Sequence, residues 1–112
     1  MIKLKRVYEP AGKDDGYRVL VDRLWPRGVT KAKAKLGVWL KDIAPSDTLR
    51  QWFGHDPKKW PTFEKKYRAE LKKNETAVSE LRGIIKKHKT VTLVYGAKDE
   101  RYNQAAALKN FI

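Results

Sequence analysis

The sequence contains no cysteine, which excludes disulfides, thiol catalysis and cysteine-ligated zinc sites. It has only two histidines, and they are not at metal-binding spacing, so we expect no metal site. Apolar runs are far shorter than a membrane span, and residues 1–6 lack the unbroken apolar stretch of a signal peptide. We therefore expect a cytoplasmic protein without a membrane partner.

Acidic residues are scarce relative to basic ones, with 13 Asp and Glu against 26 Lys and Arg and a net charge of +13. A surplus of this size favours anionic partners such as nucleic acid, nucleotides or acidic lipids. Most of the surplus is lysine in predicted surface helices, which suits diffuse attraction better than a defined groove. A solvated basic surface that keeps the protein soluble explains the same charge, so both interpretations stay open.

Hydrophobic residues make up 41% of the 112 residues and include four Trp, five Tyr and three Phe, enough for one core without disulfides or metal. Patterning predicts strands over residues 2–7, 17–21, 36–43 and 90–95, with a helix as the alternative over 36–43. The apolar run Val19–Val21 indicates burial on both faces. Helices are predicted over 31–35, 47–53, from 57 through 71, 75–88 and 100–111, the last with Asp99 as N-cap. Strands alternating with helices predict that residues 1–112 form a single α/β domain, a small three-layer structure with a mainly parallel sheet flanked by helices.

The segment DRLWPRG, residues 22–28, leaves the carboxyl end of a predicted central strand, where open α/β sheets usually bind ligands. Arg23 and Arg27 can clamp a phosphate or carboxylate, Trp25 can stack on a ring, and Asp22 is a weak candidate for catalysis. The alternative is a structural loop in which Asp22 pairs with an arginine and Trp25 fills the core. An anion-binding role predicts that Arg23→Ala costs little stability, whereas a structural role predicts a clear loss.

A second cluster runs from Lys41 to Arg50. Ser46 begins a predicted helix, so free backbone donors and the helix dipole favour an anion there, with Lys41 and Arg50 adding positive charge. The simpler alternative is that Ser46 only caps the helix. His55 is the other weak catalytic candidate, as a general acid or base. No Walker or Rossmann glycine fingerprint is present, so standard nucleotide-binding loops are not supported.

The chain resembles the domain-of-unknown-function 488 family, the YeaO-like uncharacterised proteins. The strings that carry the resemblance are KRVY (5–8), RVLVDRLWPRG (18–28), WLKDIAPS (39–46), LR (49–50), WFGHD (52–56), TLVY (92–95) and NQA (103–105), with Trp60, Phe63 and Tyr67. They span nearly the whole chain, and residues 21–28 are the most specific. The resemblance implies a compact bacterial and archaeal α/β domain and supplies no reaction.

Parallel strands end on the same side of a sheet, and both candidate clusters follow predicted strands. We therefore expect one crevice for a small anionic, phosphate- or nucleotide-like ligand, formed by Asp22, Arg23, Arg27, Lys41, Ser46 and Arg50. Whether such a site is enzymatic stays open, as do the cofactor and the oligomeric state. The alternatives are a nucleic-acid-binding module acting through general basic charge and an accessory protein that binds a partner protein; a flat exposed aromatic patch would favour the latter.

Overall fold

Four parallel strands form one sheet in the order β1-β4-β2-β3, in a computed structural model that describes residues 1–112. The strands are β1 Ile2–Arg6, β2 Tyr17–Leu20, β3 Val38–Trp39 and β4 Val91–Tyr95. The helices are α1 Lys31–Ala34, α2 Asp47–Phe53, α3 Trp60–Lys73, α4 Glu75–Lys87 and α5 Gln104–Phe111. Short 3-10 turns occupy Lys13–Asp15, Lys41–Ile43 and Pro57–Lys59. The predicted α/β fold with a parallel sheet flanked by helices is confirmed.

Strand β4 lies between β1 and β2, and all five of its residues are buried. Its side chains alternate between the two faces: Leu93 and Tyr95 join the larger core cluster, whereas Val94 joins the smaller one. A strand covered on both faces needs apolar residues throughout, so the sequence VTLVY reads as an almost continuous apolar run.

The two faces of the sheet are covered unequally. One face packs against α2 to α5 through the larger cluster, in which the Phe53 and Phe63 rings stack and the Tyr67 ring packs at a tilt against Phe63. The other face is covered by α1 and loops, with Ala34 packing near Leu20. The thick helical side therefore supplies most of the apolar burial that stabilises the fold.

The thinly covered face holds a buried charge cluster. Asp15 accepts hydrogen bonds from Arg18 Nη1 at 2.6 Å and from Lys5 Nζ at 3.1 Å, and Arg18 is only 4% exposed. Burial alone would raise the pKa of Asp15, but hydrogen bonds from the Gly12 backbone, Lys5 and Arg18 outweigh it and hold that pKa below its usual value. The pairing of Asp15 with Lys5 and Arg18 therefore allows these charged side chains to be buried or half-buried against this face of the sheet.

The predicted strand over residues 36–43 is wrong beyond its centre, since β3 contains only Val38–Trp39. β3 is an edge strand that pairs only with β2, and β2 ends at Leu20. The Leu40 N–H still donates to Leu20 O, but the chain then has no strand to follow and closes into the 3-10 turn Lys41–Ile43.

The predicted start of the last helix is also wrong. α5 begins at Gln104, and its N-cap is Asn103, whose side chain accepts from Ala106 N at 2.9 Å. Asp99 instead accepts from the N–H groups of Arg101 and Tyr102 in a turn ahead of the helix. Both Asp and Asn favour such positions, so composition alone did not decide between them.

Other predictions hold closely. α2 covers Asp47–Phe53 with Ser46 as its N-cap, and α4 ends at Lys87, one residue before the predicted end. The regular helix α3 starts at Trp60 after a 3-10 turn that begins with Pro57. None of the helices combines the length and the apolar character needed to cross a membrane.

Candidate functional site

A pocket of about 240 Å³ opens at the carboxyl ends of β2 and β4. Residues directly after β2 form one side, and Gly96 and Ala97 directly after β4 form the next. The remaining wall comes from the end of α2, from Phe63 of α3 and from Gln104 at the start of α5. The pocket thus lies at the sheet edge where parallel α/β folds usually bind ligands.

Asp22 is held in the pocket wall by uncharged donors. Its carboxylate accepts from Gly96 N at 2.8 Å and from Gln104 Nε2. Burial raises the pKa of Asp22 to about 6, even though both hydrogen bonds act in the opposite direction. Gly96 permits the close approach, because a Cβ there would stand 3.0 Å from Asp22 Oδ2. Asp22 does not pair with an arginine, contrary to the structural-loop alternative.

Arg23 joins the end of β2 to the segment before α2. Its Nε donates to Pro45 O at 3.2 Å, and its Nη2 donates to Ala44 O at 3.1 Å. These bonds satisfy two backbone carbonyls beside the pocket, so Arg23 has a structural role. Its guanidinium group also lines the pocket, and a guanidinium carries five N–H donors, so further donors remain for a ligand.

Arg50 and His55 line the pocket from the end of α2, and both are exposed. Arg50 Nη2 lies 3.4 Å from Asp47 Oδ1 in an exposed pair of the kind that contributes little to stability. α2 ends at Gly54 with φ of 52°, and His55 follows with φ of 57°. A left-handed backbone is unfavourable for a residue with a Cβ, so His55 is held in a strained conformation next to the pocket.

Three predicted residues lie outside this pocket. Arg27 is exposed and its carbonyl accepts from Tyr8 Oη at 3.0 Å, while the exposed Lys41 places its ammonium 5.4 Å from the centre of the Trp39 ring. Ser46 lies in the groove on the other side of the segment that Arg23 clamps. The structure therefore brings Asp22, Arg23, Arg50 and His55 together, and ligand binding by the other three residues stays a prediction.

The helix N-terminus at Ser46 already holds an anion, and that anion is a side chain of the protein. Glu70 of α3 accepts from Ser46 N at 2.9 Å and from Ser46 Oγ at 2.6 Å. Ser46 Oγ also accepts from Leu49 N as the helix cap. The N-terminus of α2 does attract a negative charge, as expected, but the Glu70 carboxylate supplies that charge.

Trp25 has a mainly structural role. Its Nε1 donates to Val29 O at 2.7 Å, and its ring packs edge-on against Trp39 at a centroid distance of 5.4 Å. It fills the smaller core cluster while one edge lines the pocket. Stacking of Trp25 on a ligand ring stays a prediction.

Sequence reasoning missed Gln104, Gly96 and Glu70. Gln104 stands in the NQA string but is 82 residues from Asp22 in the chain, and only the pairing of β2 with β4 brings the two together. The sequence did contain a signal for placing Gln104 near the pocket, since Gln104 begins the helix that follows the most apolar strand. Using that signal requires the strand order, which the sequence does not reveal.

The chemistry of the pocket is that of a binding site with surplus positive charge. The lining contains two arginines, one histidine and a single carboxyl residue, and no Ser, Thr, Tyr or Lys side chain lines the pocket. No group of three or more His, Asp or Glu side chains lies close enough together to hold a metal ion.

Comparisons with known proteins give uncharacterised relatives. The chain is 44% identical over 111 residues to the uncharacterised protein YeaO of Escherichia coli, covering 99% of this chain and 96% of YeaO. Uncharacterised proteins of Mycobacterium tuberculosis and Mycobacterium bovis are each 39% identical over 111 residues, which is 99% of this chain and 92% of theirs. No solved structure matches. A family model described as "Inactive DUF488-N3 subclade" matches residues 1–112, and the chain therefore belongs to the domain-of-unknown-function 488 family.

Proposed function

We propose that this protein binds a small anionic ligand, phosphate-like or carboxylate-like, in the pocket at the carboxyl ends of β2 and β4. The observation that carries the proposal is the charge of the pocket lining. Arg23, Arg50 and His55 line it together with one carboxyl, and that carboxyl is already bonded to Gly96 and Gln104. A bound anion would balance the remaining positive charge.

The two arginines are available in different ways. Arg23 is fixed by its bonds to the carbonyls of Ala44 and Pro45, so its remaining donors are pre-oriented. Arg50 is held less firmly, because its only ion pair is the exposed 3.4 Å contact to Asp47. One fixed and one adaptable guanidinium form a reasonable clamp for a phosphate or carboxylate.

Asp22 is the feature that would oppose an anion, and its environment limits that effect. Burial raises its pKa to about 6, so below that pH the carboxyl is mostly protonated and adds no negative charge. At higher pH it repels an anion, although the bonds from Gly96 and Gln104 disperse its charge. Anion binding should therefore be tighter in mildly acidic solution.

The apolar part of the lining supports a ligand that carries a hydrophobic group as well as an anionic one. Phe53 and Phe63 contribute to the wall, and Leu24 at the pocket is 61% exposed. A volume of about 240 Å³ is slightly below the usual range for drug-sized ligands, so the ligand should be small.

Binding without turnover is the simplest role for the pocket. Its lining has no hydroxyl, thiol or amine nucleophile, so Asp22 and His55 are the only side chains in it that could act as a nucleophile or a general base. The description of the matching subclade as inactive is consistent with a binding role.

The test is titration by isothermal calorimetry with phenyl phosphate, inorganic phosphate and phenol as probes. We expect phenyl phosphate to bind most tightly and phenol not to bind. Arg50→Gln should weaken phenyl phosphate by about 10-fold or more, the usual loss for a charged hydrogen bond. A second variant, His55→Asn, removes the imidazole from the pocket. Asparagine is chosen because it tolerates the left-handed backbone at this position.

Arg68→Gln is the matched control, because Arg68 is an exposed arginine of α3 that does not line the pocket. It removes the same charge from the molecule and should leave phenyl phosphate affinity nearly unchanged. Equal losses for Arg50→Gln and Arg68→Gln would show that only net charge attracts the probe. Absence of binding by both phosphates and by benzoate, a carboxylate probe titrated in the same way, would end the proposal.

A further inference from the structure

Trp52 lies on the outer side of α2 and is 36% exposed, one of four large apolar side chains with substantial exposure. Two ammonium groups stand over its ring, Lys66 Nζ at 4.4 Å and Lys59 Nζ at 5.1 Å from the ring centroid. Lys59 Nζ also donates to the Trp52 carbonyl at 2.8 Å. Neither lysine forms an ion pair. An exposed indole thus stands beside two cations that lack a carboxylate.

A shallow groove of about 400 Å³ runs beside Trp52 between α2 and α3. Its one carboxylate, Glu70, is already bonded to Ser46 and so does not neutralise the lysines. The groove is separate from the anion pocket, because Arg50 and Phe53 line the pocket whereas Trp52 lines the groove.

Positive charge continues along α3 from this point. Lys66 and Lys73 of α3 are seven residues apart, so they lie nearly on one side of the helix about 10 Å from each other, and Lys59 precedes the helix in the 3-10 turn Pro57–Lys59. Lys73 lines the neighbouring depression on the same flank. A flexible chain of negative charges can follow this row after contacting Trp52.

We infer that Trp52, Lys59 and Lys66 form a stacking platform for single-stranded nucleic acid, on which one base stacks over the indole while neighbouring phosphates contact the two ammonium groups. Base stacking on an exposed aromatic side chain beside cations is the usual physical basis of sequence-independent single-strand binding. A duplex keeps its bases paired and stacked, and a polyanion without rings has nothing to stack, so both fit the platform less well.

The lysines now over the indole do not block this use. An exposed cation–π contact is weak, and a lysine side chain is long and flexible. Each ammonium can therefore move from the ring to a phosphate while a base takes its place. The exchange keeps the positive charges paired and covers an apolar surface that is otherwise exposed.

The test is fluorescence anisotropy with a labelled oligothymidylate, an abasic strand of the same length and a duplex. We expect the parent protein to bind oligothymidylate about 5- to 150-fold more tightly than the abasic strand, the range for one stacked base. Trp52→Leu should remove this preference, and Trp52→Phe should retain much of it because a ring remains. Lys66→Gln should weaken oligothymidylate more than Lys86→Gln, its control at an exposed lysine of α4.

Thermal melts of each variant separate loss of binding from loss of folding, and Lys66→Gln tests the site even if Trp52→Leu fails to fold. Equal affinity for the abasic strand and oligothymidylate would overturn the inference, as would equal effects of Lys66→Gln and Lys86→Gln. Tight binding of poly-glutamate that depends on Trp52 would also overturn it, in favour of an acidic polypeptide. No binding of any of the three nucleic acids would do the same.

Discussion

Asp15 and Asp22 are both withdrawn from water, and their partners differ. Asp15 is bonded to the cations Lys5 and Arg18, and its pKa is lowered. Asp22 has only the neutral donors Gly96 and Gln104, and burial raises its pKa to about 6. The ionised form is therefore stabilised at Asp15 and disfavoured at Asp22, so the two residues make opposite contributions to the pH dependence of stability.

Asp22→Asn should remove one component of that pH dependence. Because the pKa of Asp22 is higher in the folded protein than its usual 3.8, its contribution is fully present below about pH 4 and is lost as pH rises through about 6. The loss in the parent is roughly 2–3 kcal/mol of unfolding free energy for a shift of this size. Denaturant unfolding of both proteins from pH 4 to 8 should show the variant relatively more stable at the alkaline end. Gln104 can reverse its amide to accept from the new Asn side chain.

Asp47→Asn is the control, since Asp47 is exposed and pairs only with Arg50. Its difference from the parent should barely change across the same range. If Asp22→Asn followed the parent at every pH, the carboxyl would be ionised in the fold without cost, and its proposed effect on anion binding would fail as well.

Five of the 14 residues that line the pocket were named from the sequence: Asp22, Arg23, Trp25, Arg50 and His55. The rule that ligands bind at strand carboxyl ends pointed to Asp22 and Arg23, and the α2 segment supplied Arg50 and His55. Gln104 was not predictable because its meeting with Asp22 depends on β4 pairing with β2. The contact between Ser46 and Glu70 was not predictable either, because it depends on how α3 packs beside α2 and on the direction of the Glu70 side chain.

The junction of α2 and α3 is closed by one carboxylate. Glu70 reaches from the middle of α3 to the first turn of α2 and bonds both the N–H and the hydroxyl of Ser46. It therefore combines a helix cap, a favourable interaction with the helix dipole and a contact between two helices.

Glu70→Ala and Ser46→Ala should each lower the free energy of unfolding by about 1–3 kcal/mol, the cost of leaving partly buried donors unpaired. The double variant should lose less than the sum of the two, with a coupling energy of about 0.5–3 kcal/mol. Denaturant melts of the four proteins measure this. Glu80→Ala, at an exposed glutamate of α4, should have no measurable effect. Additive losses at residues 46 and 70 would show that the two side chains do not act together.

Element prediction succeeded where local signals agreed with packing. β2 and β4 are apolar and buried, and α2 starts at Ser46 and ends at a left-handed Gly54, so pattern and cap indicated the same bounds. The strand predicted over 36–43 failed because an edge strand extends only as far as its neighbour allows. The last helix failed because Asp99 and Asn103 are both good caps and tertiary contacts selected Asn103, which is fully buried.

Charge dominates the molecule as a whole. Its 26 Lys and Arg form only three ion pairs with carboxylates, so most of the net charge of +13 is not paired locally. Lysines occur on α1, α3, α4 and the turns between them, which surrounds much of the surface with positive potential.

Binding to heparin and duplex DNA should accordingly be weak, independent of sequence and strongly dependent on salt. If six or more phosphates are contacted, affinity should fall by about 10³ or more between about 50 and 200 mM salt as counterions are released. The slope of log affinity against log salt concentration, measured by anisotropy, gives the number of contacts. Undetectable binding to duplex, single strand and heparin at low salt would show that the charge serves only solubility.

The central position of β4 also determines the order in which the sheet can be assembled. β1 and β2 do not pair with each other; both pair with β4, so that Ile2 lies beside Val91 and Tyr17 beside Val91 on its other edge. While the chain emerges from the ribosome, β1 has no neighbour, and β2 has only the short β3, until β4 has been synthesised. Such long-range pairing gives a high contact order, which slows folding and leaves strand edges open in the nascent chain. Lys3 and Lys5 alternate with apolar residues in β1 and Arg6 ends the strand, so the strand that remains unpaired longest carries positive charge that opposes pairing with other chains.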